Sequence, residues 1–129
     1  MRRFKIWVAT IALFLVCSAA VAYRMVEVQT ATAVALAWSI GPYDEFDCAR
    51  IAIKFNTAPT TAGSITVTLD SNQGAAYDTV LRTANPVGVT SVVFENVDGQ
   101  VSGDKLLVSY TNADLRSITG TATCAVGTY

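Results

Sequence analysis

Apolar and polar positions follow two different regimes along this chain. Ile6 to Leu15 is an almost continuous apolar run that continues through Val16, Cys17 and Ser18 to Ala19-Ala20-Val21-Ala22. From Tyr23 onward the pattern breaks into short β-prone runs separated by Gly, Pro, Asn and Asp, and no stretch keeps a helical period over several turns. Ile65-Thr66-Val67-Thr68-Leu69 alternates strictly between apolar and threonine positions, as a half-buried antiparallel strand does. Phe46 to Phe55 reads as a strand with Ile51, Ile53 and Phe55 on one face and Arg50 and Lys54 on the other. Met25 to Gln29 alternates as well. Val34 to Trp38 is either a second strand or a continuation of the first, ended by the Gly41-Pro42 breaker, and the alanines between Ala31 and Ala37 also suit a helix.

Downstream, Asp70 to Gly74 reads as a polar turn, Tyr77 to Thr83 as a strand, Asn85-Pro86 as a break, Val89 to Phe94 as a strand and Asp98-Gly99 as a turn. Lys105 to Tyr110 and Ser117 to Val126 complete the set. About seven or eight strands at this spacing predict an all-β fold, an antiparallel two-sheet sandwich with jelly-roll or Greek-key connections. With 129 residues there is room for one such domain, spanning residues 23–129.

The first regime has its own chemistry. Arg2, Arg3 and Lys5 precede the apolar run, and Ala20 and Ala22 supply the small side chains that signal peptidase accepts. Residues 1–22 therefore read as a hydrophobic signal helix cleaved after Ala22, and the remainder as exported to the periplasm, cell surface or medium. The alternative is an uncleaved anchor, since Ile6 to Ala22 approaches the length that spans a bilayer, and membrane contact is expected through residues 1–22 alone. Val16 directly before Cys17 does not suit lipid attachment to that cysteine, which wants a small residue there.

Removal of this segment changes the charge picture. Six basic residues (Arg24, Arg50, Lys54, Arg82, Lys105 and Arg116) then stand against ten acidic ones. No basic stripe remains to neutralise phosphates, and nucleic acid is not an expected partner. Cys48 and Cys124 are left as an even pair in a chain bound for an oxidising compartment, where they are expected to bond; two separate buried thiols are the alternative.

Catalytic options are few. The chain has no histidine, which removes the usual general base and the commonest transition-metal ligand. With the two cysteines paired, a zinc or thiol site lacks ligands. No catalytic residue, metal or cofactor is expected. Asp44, Glu45 and Asp47 cluster after Tyr43 and keep a small carboxylate-dependent hydrolase in view, although an acidic loop is ordinarily just solvated. Asp70-Ser71-Asn72-Gln73-Gly74 starts like a calcium loop but lacks the closing glutamate, and its Asp and Asn serve equally as turn formers. Trp38, Tyr43, Phe46, Tyr77, Tyr110 and Tyr129 are candidates for an exposed aromatic platform, against the demand that aromatics in a small domain fill its core.

One resemblance spans roughly Phe46 to Thr123. Ala58-Pro59-Thr60-Thr61-Ala62-Gly63-Ser64-Ile65-Thr66-Val67-Thr68-Leu69-Asp70-Ser71, then Gly74-Ala75-Ala76-Tyr77-Asp78-Thr79-Val80-Leu81, Ser102-Gly103-Asp104-Lys105 and Ser109-Tyr110-Thr111-Asn112-Ala113-Asp114, resemble a group of small virion-associated β-sandwich proteins of tailed phages and prophages. The resemblance implies a β-sandwich and no catalytic residues. Phage particles assemble in the cytoplasm, so an export segment on such a chain implies either a domain redirected to the envelope or a virion protein that keeps its anchor.

These readings converge on a non-catalytic structural or surface-recognition protein that binds through loops on a rigid scaffold. The candidate loops are Gly41 to Asp47, Asp70 to Tyr77 and Thr111 to Arg116, with Tyr43, Asp44, Glu45, Asp70, Asn72, Tyr77, Asn112 and Asp114 as candidate contacts. A protein or a surface glycan is the partner such loops would take, a carbohydrate-binding module is the main alternative, and self-association stays open.

Overall fold

A computed structural model describes residues 23–127. The expected signal helix, with Ala20 and Ala22, lies outside the described residues, as does Tyr129. Eight strands follow in order: β1 (Tyr23–Thr32), β2 (Leu36–Ile40), β3 (Phe46–Phe55), β4 (Ile65–Asp70), β5 (Thr79–Ala84), β6 (Ser91–Gln100), β7 (Lys105–Tyr110) and β8 (Ser117–Val126). They form two four-stranded sheets, β1-β8-β3-β6 and β2-β7-β4-β5, antiparallel throughout. The pairs β1–β8, β2–β7, β3–β6 and β4–β5 are the rungs of one long hairpin, rolled so that β8 also meets β3 and β7 also meets β4.

The two sheets pack face to face around one apolar core, giving a sandwich-like fold. Leu36, Trp38 and Ile40 of β2, Ile65 and Val67 of β4, and Leu106, Val108 and Tyr110 of β7 point inward from one sheet. Phe46, Ile51, Ile53, Phe55, Phe94, Val97, Ile118, Ala122 and Val126 meet them from the other. Each fully buried aliphatic side chain stabilises the fold by roughly 1.5–3 kcal/mol relative to exposure. The indole of Trp38 is seated over Gly120, where the missing side chain leaves room for it.

β3 buries Phe46 and Cys48 and then Ile51, Ile53 and Phe55, a change from even to odd positions. A bulge reconciles the two: the β8 register shifts between Cys48 and Arg50, so Ala49 and Arg50 both face out. Cys48 lies directly opposite Cys124 of β8. Both are buried, and their sulfurs are at bonding distance, 2.08 Å.

Of the readings left open for the alanine-rich stretch, the second strand holds and the helix does not: β1 runs to Thr32, a bend at 33–35 reverses the chain, and β2 begins at Leu36. Two local expectations need correction. Tyr77 does not open a strand, because Ala75–Tyr77 form a 3-10 turn and β5 begins at Thr79. Asp98-Gly99 is no turn either. β6 continues through it to Gln100, and Asp98 and Gly99 together face Asp47, between the pairs Cys48↔Val97 and Phe46↔Gln100. Gly99 has a positive φ (92°), which glycine adopts freely, and its N–H donates to Asp47 Oδ1 at 2.8 Å. The reversal falls instead at 101–104, closed by Asp104 N–H donating to the Val101 carbonyl at 3.1 Å.

Candidate functional site

The strand directions divide the candidate contacts between opposite ends of the sandwich. Ile40, Leu69 and Leu106 align across β2, β7 and β4, so loops 41–45, 71–78 and 101–104 gather at one end. Tyr43, Asp44, Glu45, Asn72 and Tyr77 lie there, with Asp70 at the margin. The loop at 111–116, with Asn112 and Asp114, lies at the other end beside 33–35 and 56–64. The three candidate loops therefore lie on two separate surfaces.

At the first end, loops 71–78 and 101–104 are tied together by a carboxylate that sequence reasoning did not single out. Asp104 is buried, and it accepts the Asn72 N–H at 2.9 Å and the Val101 N–H at 3.1 Å. The Asn72 amide donates back to the Ser102 carbonyl at 2.7 Å, and Gly103 N–H reaches the Tyr43 carbonyl at 2.8 Å. Asp70 pairs with Lys105 across β4 and β7 at 3.3 Å, which leaves it a strand-end ion pair. Tyr43 is half-buried against the core, and its hydroxyl donates to the Glu27 carboxylate. Burial pushes this phenol well above its ordinary range, and the hydrogen bond to Glu27 and that carboxylate's charge push the same way. Asp44 and Glu45 are exposed.

The 71–78 loop is braced internally. Ser71 N–H donates to Asp78 Oδ1 at 2.9 Å, Gly74 N–H to the Ser71 carbonyl at 3.2 Å, and Tyr77 N–H to the Gly74 carbonyl at 3.0 Å. On that frame every residue from Asn72 to Val80 is exposed, Tyr77 at 59%. The result is a firm crest carrying one large aromatic ring.

At the second end the candidate contacts are occupied by structure. Asn112 is 1% exposed; its amide donates to the carbonyls of Val34 and Arg116 at 2.8 and 2.9 Å, and its Oδ1 accepts the Arg116 N–H at 2.8 Å. Asp114 holds loop 56–64 by accepting the N–H groups of Thr60 and Thr61, each at 2.8 Å, and the Thr61 hydroxyl at 2.7 Å. The Thr61 hydroxyl bond, followed by the backbone donors of Thr61 and Thr60, lowers the Asp114 carboxyl to about 2.

The aromatic residues divide the same way. Trp38, Phe46 and Tyr110 are buried, and Phe55 meets Tyr110 edge-on at 5.7 Å. No strip of exposed rings forms along either sheet among the described residues; Tyr77 and Tyr23 are the exposed ones. Two shallow depressions of about 320 and 290 Å³ meet at Ser109 on the β2-β7-β4 sheet. Ala37, Ser39, Thr66 and Ser109 line these depressions together with the larger Leu36, Trp38, Leu107 and Tyr110. Among the described residues, no group of three His, Cys, Asp or Glu side chains converges as a metal site, and no helix is long and apolar enough to cross a membrane.

Asp104 carried a weak sequence signal as a turn former, but nothing local to it points to its partner Asn72. No known protein family matches this chain by sequence, and no curated protein is significantly similar to it. What the structure offers toward function is therefore a two-sheet all-β domain with one braced, exposed loop.

Proposed function

We propose that this chain is an exported, non-catalytic domain of phage or prophage origin that serves as a structural or surface-recognition component. The rolled-hairpin strand order supports reading the sandwich as a jelly roll, an architecture used by viral capsid and lectin domains. The observation that carries the proposal is the 72–80 segment: wholly exposed, held from below by Asp104 and Asp78, and presenting Tyr77. A pre-braced loop loses little conformational freedom on binding, and an exposed tyrosine offers a large contact area with a polar tip. The partner class is a protein or a surface glycan, either of which a tyrosine ring can pack against. Glu27 and Tyr43, by contrast, are committed to each other.

The test is fractionation of the native producer with the chain followed by intact mass, before and after reduction and thiol alkylation. A chain beginning at Tyr23, with Cys48 and Cys124 unreactive until reduced, recovered with particles, envelope or medium, is the expected result. Tyr77→Ala should weaken its retention in the particle or envelope fraction without moving its thermal unfolding. A full-length chain with reactive thiols, free in the cytosol, would overturn the proposal.

A further inference from the structure

A strand at the border of a sheet shows a row of unpaired N–H and C=O groups, and proteins ordinarily blunt such borders with short strands, bulges, proline or charge. Three of the four borders here are blunted in this way. β2 has five residues and runs directly into Gly41-Pro42. β5 has six, bulges against β4 between Val67 and Thr68, and carries Arg82, whose guanidinium crosses to the Asn96 carbonyl at 3.1 Å. β6 carries Asn96 and Gly99 at positive φ and bulges opposite Asp47.

β1 is different. It has ten residues, pairs with β8 along its whole length without a register shift, contains no proline, and has no strand on its other side among the described residues. Its outward side chains include Val26 and Val28, 62% and 61% exposed. Ala33 N–H donates to the Arg116 carbonyl at 3.4 Å, continuing a register in which odd-numbered residues exchange hydrogen bonds with β8. By alternation, the backbone groups of Arg24, Val26, Val28, Thr30 and Thr32 point out of the open edge.

We propose that this edge docks a second copy of the chain, β1 against β1, antiparallel about a two-fold axis at Val28. A two-fold axis normal to the sheet keeps both outer faces on one side, so only residues of like parity can lie opposite each other. Centred on Val28, the strand complements itself from Arg24 to Thr32. Val28 faces Val28 of the second copy, Val26 faces Thr30, and Arg24 faces Thr32, so β-branched side chains pair across the join. On the other face Glu27 comes beside Gln29, a carboxylate against an amide donor, and no like charges meet. Moving the axis one residue toward the N-terminus would set Glu27 directly against Glu27, a repulsive pair. The self-complementary register argues for a second copy as the occupant, and the two sheets would join into one of eight strands. This inference is independent of what the 72–80 loop binds.

Sedimentation of the chain as its producer releases it, run over a concentration series, tests the proposal. Val28→Lys places two ammonium groups at the axis. Val28→Pro removes the edge N–H there without touching the β8 ladder, and Val80→Lys alters the blunted β5 edge as a control. The wild type and Val80→Lys are expected at twice the mass of one chain, and both Val28 variants at the mass of one, with the far-UV circular dichroism of all four alike. Hydrogen exchange on the wild type gives a second reading that needs no variant, since the amides of Val26, Val28 and Thr30 should slow as concentration rises. A wild type that sediments as one chain at every concentration, a Val28→Lys chain that still pairs, or edge amides that exchange equally fast at all concentrations would overturn it.

Discussion

Gly120→Ala sets two physical effects of opposite sign against each other at the centre of this sandwich. Glycine within a strand costs roughly 0.5–1 kcal/mol relative to alanine, so on backbone grounds the substitution should stabilise β8. The packing says otherwise. A Cβ at position 120 would lie 2.6 Å from Cζ3 and 2.9 Å from Cε3 of Trp38, and 3.4 Å from Cδ1 of Ile53, whereas carbon atoms in contact settle at about 3.5–4.0 Å. The neighbour that has to give is a rigid indole, 3% exposed and enclosed by both sheets. Overpacking of this kind costs about 1–3 kcal/mol, which exceeds the backbone gain. A net loss centred on about 1 kcal/mol follows, and in a domain near 100 residues each kcal/mol lowers Tm by about 4–8 °C. Urea titration and calorimetry of Gly120→Ala, Trp38→Phe and the double variant would measure it. Phenylalanine lacks the outer Cζ3 carbon that makes the closest approach, so the alanine should cost less in that background, with a coupling of about 0.5–2 kcal/mol. A Gly120→Ala domain as stable as the wild type, or a cost unchanged by Trp38→Phe, would refute the reasoning.

Other residues give narrower tests. Cys48 and Cys124 are 76 positions apart in sequence; bonded, they would restrict the unfolded chain by about 4–5 kcal/mol on the loop-entropy argument, so reduction should lower the urea midpoint markedly, and equal midpoints would contradict it. Asn112→Ala strands the carbonyls of Val34 and Arg116 and the Arg116 N–H, at a φ of 55° that alanine tolerates poorly; the expected loss is about 2–4 kcal/mol in chemical denaturation, and a loss below about 0.5 kcal/mol would count against the brace. The hydrogen bonds from Thr61 and Thr60 hold the Asp114 carboxyl at about 2 in the fold, below the ordinary carboxylate range. Its contribution is therefore complete above the unfolded value and is lost as pH falls through the folded one. Between pH ~4 and ~2 the wild type should lose more thermal stability than Asp114→Asn, and parallel Tm profiles would argue against the clamp.

The parts of the fold that could be read in the sequence are those fixed by local alternation. β7 and β8 have the ends that their apolar periodicity predicts, and β4 extends one residue further. β3 was legible for the same reason, although its face changes midway: the phase of Phe46 and Cys48 differs from that of Ile51, Ile53 and Phe55, and only a bulge opposite β8 lets both sets reach the core. What could not be read depends on a partner distant in sequence. Asp98-Gly99 has the composition of a hairpin turn, yet Asp47, far back in the chain, captures the Gly99 N–H and converts the pair into a bulge. Tyr77 has the β propensity of a strand residue, but the Gly74 carbonyl takes its N–H into a 3-10 turn.

The same division explains why the candidate contacts separated. Asp, Asn and Tyr in loops are what recognition uses, and they are also what loops use to satisfy their own backbones, so composition alone cannot distinguish the roles. Partner geometry does. Asn112 spends its amide and its carbonyl oxygen on three backbone groups, and Asp114 spends its carboxylate on Thr60 and Thr61, so both fasten the closed end of the sandwich. Asp104 and Asp78 do comparable work at the opposite end, with a different outcome. Their bonds run to the base of the 71–78 loop, and the side chain of Tyr77 remains outside the hydrogen-bonded frame. Rigidity below and exposure above coincide at that loop, whereas at Asn112 the bracing atom and the candidate contact are the same residue. Substitution at Tyr77 should therefore separate recognition from folding, which substitution at Asn112 cannot do.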